Sequence, residues 1–82
     1  MAKRDVIFDA PARRFLYRIA TSAERSAILL IVDELAAAPE PDERRRFRTN
    51  QGDLLFHDGR FWILYDVVDE LLIAVKGIGT AE

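Results

Sequence analysis

Residues 53–78 read DLLFHDGRFWILYDVVDELLIAVKGI, and this stretch decides the fold. Asp58-Gly59 stands between two apolar, aromatic-rich runs, and a two-residue loop of that type is a strong hairpin signal. A third β-type run, Leu71 to Val75, follows a short acidic break. The spacing predicts a three-stranded antiparallel meander.

A turn centred on Asp58-Gly59 would set His57 opposite Arg60, Phe56 opposite Phe61 and Leu55 opposite Trp62. Side chains alternate across a sheet, so Leu54, Phe56, Phe61, Ile63 and Tyr65 share one face, the expected core side. The other face carries Leu55, His57, Arg60, Trp62, Leu64 and Asp66. If the β-branched residues of the third strand join the core, Leu71, Ile73 and Val75 lie on the first face and Leu72, Ala74 and Lys76 on the second. The connecting loop then falls around Val67-Val68-Asp69.

The second face would be unusually apolar. Leu55, Trp62, Leu64 and Leu72 are expected to form a patch edged by His57, Arg60 and Lys76. A solvated sheet face is ordinarily polar, so this one is either covered or a binding surface. Three occupants fit: a second copy or a partner peptide; RNA, with Trp62 stacking on a base; or the chain's own termini and loops.

Upstream, Val6-Ile7-Phe8 is a short β-type run. Asp9 is placed to cap a helix from about Ala10 to Ala20, with Pro11 in the first turn, where a missing N–H costs nothing. Ala12, Phe15, Leu16 and Ile19 make its apolar stripe, and Arg13, Arg14 and Arg18 face out. Thr21-Ser-Ala-Glu24 has capping-box spacing. The helix it opens runs to about Ala38, where Pro39 and Pro41 stop it. Ile28, Ile31, Val32 and Leu35 form its main apolar face. Leu29 and Leu30 lie off that face, wrapped by the helices or open to a partner chain. Glu40 to Glu43 is an acidic connector, and Arg44 to Thr49 alternates weakly enough to begin a strand. The expected class is α+β in one domain over 1–82: an N-terminal strand, two helices, then the meander, with the helices on one face of the sheet.

The 82 residues suit one small core, and half of them are hydrophobic, a globular composition. There is no cysteine, which excludes disulfides and thiolate zinc sites and fits a reducing compartment. No apolar run approaches a bilayer span. Asp5 and Asp9 interrupt the start, so it does not read as a signal peptide, and the expected location is cytoplasmic. Net charge is −2, which offers no global signature of a nucleic-acid binder. Ten of the twelve basic residues are arginine, and Arg44, Arg45, Arg46 and Arg48 cluster. That cluster reads either as a solvated face or, through Arg46 and Arg48, as a contact to phosphate or an acidic partner.

Enzyme motifs are absent. Lys76-Gly-Ile-Gly79 is too short for a phosphate-cradling loop. One histidine without cysteine gives no metal site, and Ser22 and Ser26 have no local histidine to activate them. No cofactor is expected. His57 is the one side chain with an ordinary pKa near neutrality. Together with Arg60 and Lys76 it forms the candidate acid–base set, against the plainer reading of a surface histidine.

The order of elements resembles the RelE/ParE toxin superfamily. The residues that carry this are Phe8-Asp-Ala-Pro-Ala-Arg-Arg14, the helix from Ile28 to Pro39, the hairpin Phe56-His-Asp-Gly-Arg-Phe-Trp-Ile-Leu-Tyr65, and Val75-Lys-Gly-Ile-Gly79. The resemblance implies a small toxin of a type II toxin–antitoxin pair with an antitoxin partner. It would act either on ribosome-bound mRNA as an endoribonuclease or on gyrase. RelE-like members usually carry arginines on the outward face of the hairpin, where this chain has Leu55, His57 and Trp62. Their usual Ile-Gly-His-Arg ending appears here as Ile78-Gly79-Thr80-Ala81. Cleavage chemistry would therefore fall to His57, Arg60 and Lys76. The alternative is a non-catalytic module on the same fold, dimerising or binding a partner through the Trp62 face.

Overall fold

The computed structural model describes residues 3–40 and 46–80. Arg44, Arg45, most of the acidic connector and Ala81 lie outside the described residues. The elements are β1 (Asp5–Phe8), α1 (Ala10–Arg14) continuing into a π-helical turn (Phe15–Ile19), α2 (Ser22–Ala37), β2 (Arg46–Arg48), β3 (Leu54–His57), β4 (Phe61–Asp69) and β5 (Leu72–Thr80). The strands form one five-stranded sheet in the order β1-β5-β4-β3-β2. The meander is present, extended by β2 on one edge. On the other edge β1 pairs with β5 in parallel.

The face assignment of the hairpin holds. Leu54, Phe56, Phe61, Ile63 and Tyr65 are all buried, with Ile73 and Val75 of β5 beside them. Ala12, Phe15, Leu16, Ile28, Val32, Leu35 and Ala36 of the helices join them in the core, and Ile31 packs against it. Leu29 and Leu30 are exposed, so the helices do not wrap them.

The register differs by two residues. His57 pairs with Trp62, Phe56 with Ile63 and Leu55 with Leu64. A two-residue slip keeps every side chain on its face, which is why the core assignment survives it. The loop centres on Gly59-Arg60 because the Asp58 carboxylate accepts from the N–H groups of both Arg60 and Phe61, at 3.0 Å each. Gly59 takes φ 88°, a left-handed value open to glycine at no steric cost.

Two irregularities reshape β5. Tyr65 pairs with Val75 and Leu64 with Gly77, so Lys76 is the extra residue of a bulge. The bulge inverts the alternation, and Ile78 rather than Gly77 enters the core. A second irregularity leaves Val68 between Val67 and Asp69. β4 therefore runs through the expected loop, and the turn is Glu70-Leu71, where the Asp69 carboxylate accepts from the Leu71 N–H at 2.7 Å. Leu71, expected in the core, is 74 % exposed in that turn.

The first helix departs from its pattern for a specific reason. The Ala20 N–H bonds to the Phe15 carbonyl at 2.8 Å, five residues back instead of four. The extra residue moves the buried stripe on by one position. Ala20 is buried in the place expected of Ile19, which is 63 % exposed. Asp9 occupies the N-cap position, but its side chain makes no capping bond. The capping box of α2 is complete: Glu24 N–H to Thr21 Oγ1 at 3.1 Å, and Thr21 N–H to Glu24 Oε1 at 2.8 Å. No described helix is long and apolar enough to cross a membrane.

Candidate functional site

Antiparallel partners share a face, so the side of the sheet away from the core can be read from the pairing. It carries Phe47, Leu55, His57, Trp62 and Leu64, then Gly77 and Gly79 of β5. Trp62 is the centre of this face. A Cβ on Gly79 would stand 2.5 Å from the indole atoms Cε2, Cζ2 and Nε1, and one on Gly77 would stand 3.3 Å from Cζ3. The indole therefore lies across the bare backbone of β5. One ring face is occupied by the glycines, and the residue remains 37 % exposed.

His57 is exposed and stacks on Phe47, with ring centroids 5.2 Å apart and an interplanar angle of 13°. Phe47, opposite Leu55, joins the face because β2 alternates in register with β3. Its membership required the strand pairing, since the sequence marks that segment by its arginines. Arg60 projects from the hairpin tip, its guanidinium 4.9 Å from the Phe61 ring centroid. The Asp58 carboxyl is pushed up by partial burial. The N–H groups of Phe61 and Arg60, with the Arg60 charge, outweigh that and hold it below its ordinary value.

Lys76 does not join His57. Its ammonium donates to Asp53 Oδ1 at 3.0 Å. That hydrogen bond and the Asp53 charge raise its pKa above the ordinary value, so it is a cation at neutral pH. Gly79, opposite Trp62, is three residues further along β5, roughly 10 Å at strand rise. No hydrogen bond or ion pair links His57, Arg60 and Lys76 to one another. The structure brings Leu55, His57, Trp62 and Leu64 together and leaves Lys76 at one side and Arg60 at the tip.

Two further placements correct the sequence reading. Leu72 sits opposite Asp69 at the far end of β5, seven residues from Gly79, or roughly 23 Å. It is not part of the Trp62 patch. Arg46 and Arg48 pair with Phe56 and Leu54, which puts them on the core side of the edge strand, across the sheet from Trp62. Arg48 donates to the Gly52 carbonyl at 2.9 Å. Among the described residues no group of three or more His, Asp and Glu side chains is placed to hold a metal ion.

No protein-family model matches the chain, and no curated protein matches it in sequence. Its backbone is similar to a chain in the crystal structure of the toxin–antitoxin complex RelBE2 from Mycobacterium tuberculosis. The TM-score is 0.71 at 18 % identity, covering 96 % of this chain and 99 % of that one. The fold is RelE-like. On this RelE-like fold the outward face of the hairpin holds an aromatic and aliphatic surface, built from Trp62, Phe47, Leu55 and Leu64 with His57 at its edge.

Proposed function

We propose that the chain is a toxin-like protein of a type II toxin–antitoxin pair, acting in the cytoplasm as one domain on translation or on gyrase, and neutralised by an antitoxin. The observation that carries this reading is the end-to-end correspondence of its backbone with a chain of a toxin–antitoxin complex, over 96 % of its length. The outward hairpin face suits contact with a large partner. Trp62 remains partly exposed at its centre, and His57 stands exposed at its edge. If mRNA is cut, His57 is the group to move the proton, with Arg60 of the hairpin tip as the candidate cation. The test is induced expression with soluble protein confirmed. Growth arrest, relieved by the product of an adjoining small reading frame, supports the reading. Pulse labelling of new protein and a supercoiling assay then separate translation from gyrase. Normal growth at high soluble expression refutes it.

A second reading is favoured by the separation of His57, Arg60 and Lys76. On this reading the fold is a non-catalytic interaction module, using Trp62, Leu55 and Leu64 to dimerise or to hold a partner peptide. Trp62→Arg should then weaken self-association or partner capture while the monomer stays folded. Unchanged sedimentation together with unchanged capture would count against it.

A further inference from the structure

A different surface from the Trp62 face has the chemistry of a docking site. Ala10, Arg13, Arg14, Tyr17 and Arg18 recur at three- and four-residue spacing and line an open concavity of about 360 Å3 on the first helix. Ala10 is the small residue among long ones.

The cations here differ from most of the others described. Lys3 is paired with Asp33, Arg4 with the Asp69 carbonyl, Arg25 with the Leu16 carbonyl, Arg48 with Gly52 and Lys76 with Asp53. No hydrogen bond or ion pair joins the guanidinium groups of Arg13, Arg14 or Arg18 to any described residue. Three like charges within two helical turns repel one another unless an anion arrives.

The flanks are apolar and exposed. The π-helical turn puts Ile19 out beside Arg18, and Tyr17 is 62 % exposed. Arg25 lies 5.6 Å from the Tyr17 ring centroid, and exposed Leu29 stands one turn beyond Arg25 on α2. Single π-helical turns are frequent at functional sites. Tyrosine and arginine together are typical of protein interfaces.

We infer that this face docks an acidic, amphipathic segment of a partner protein. Carboxylates of the segment pair with Arg13, Arg14 and Arg18, and its aliphatic side chains lie against Tyr17, Ile19 and Leu29. Phosphate would meet the arginines but leave Ile19 and Leu29 without a role, so a protein partner fits better than RNA.

The test uses the purified full chain and a short synthetic helical peptide with glutamates on one flank and leucines at helical spacing. NMR shifts should fall on Tyr17, Ile19, Leu29 and the arginine Nε–H groups. Affinity should drop about tenfold in the R13E/R14E/R18E variant, in keeping with lost charge pairing. It should drop in I19D as well. These side chains are exposed and make no polar contacts, and circular dichroism of each variant checks that it stays folded. Four results would overturn the inference: no binding, binding that survives both variants, a short uridine oligonucleotide that displaces the peptide from these arginines, or self-association that buries this face. The inference does not depend on the toxin reading, because the peptide assay is independent of growth arrest.

Discussion

The Tyr65 hydroxyl donates a 2.7 Å hydrogen bond to the Pro39 carbonyl, from the middle of β4 to the residue just beyond α2. Both residues are fully buried. The bond fixes where the chain leaves the helix layer, and proline itself offers no N–H for that purpose. Tyr65→Phe keeps the ring and leaves a buried acceptor short of its donor. It should lower stability by about 1–2 kcal/mol, read as a lower urea midpoint at unchanged slope.

The Trp62 indole rests on Gly79, where even a methyl group would meet it at 2.5 Å. Gly79→Ala should lift the indole off β5 and shift its fluorescence to the red. Gly77→Ala, at 3.3 Å, should do so weakly. Because one contact is involved, Gly79→Ala and Trp62→Ala should be non-additive, with a coupling of about 1 kcal/mol in a double-mutant cycle.

Asp58 organises the hairpin tip by accepting from two N–H groups. Its carboxyl titrates lower in the folded protein than its ordinary value of 3.8. The stabilisation it brings is therefore complete above that value and is lost as pH falls through the lower folded one. Asp58→Ala should cost about 1 kcal/mol at neutral pH, at the small end because the group is exposed. The gap between variant and parent should close on acidification below about pH 4. A gap independent of pH would assign the effect to the turn backbone alone.

The π-helical turn creates a carbonyl without its usual donor. Ala20 N–H goes to Phe15 and Thr21 N–H to Glu24, so the Leu16 carbonyl takes the Arg25 guanidinium at 2.7 Å. Arg25→Met should cost about 1–2 kcal/mol and speed amide exchange around Phe15 to Ala20. If exchange there stays unchanged, Arg25 is not what holds the turn.

The two faces of the hairpin were legible because strand alternation depends only on parity, and apolar residues at 54, 56, 61, 63 and 65 declare one side. The register was not, since it rests on a side-chain carboxylate competing for the turn's N–H groups. Ile19 read as core because helical periodicity assumes four residues per bond, and one five-residue bond suffices to displace it. Arg46 and Arg48 drew attention as charges, while the pairing of β2 gave the outward face Phe47 instead. Gly77 and Gly79 looked like a chain ending. Their use as a bed for Trp62 becomes visible only when the two strands are aligned.

The position of β5 has a consequence for biosynthesis. The last strand described lies between the first strand and β4, so β1 has no sheet partner until residues 72–80 are available. A nascent chain stopped before Leu72 would expose both that strand and the apolar side of β4. Completion of the sheet therefore waits on β5, because residues 5–8 pair with residues 72–75, a contact of the slow, non-local kind. A protein assembled in this order would reach its native state only after residues 72–80 have cleared the ribosome, and any activity it has would begin then.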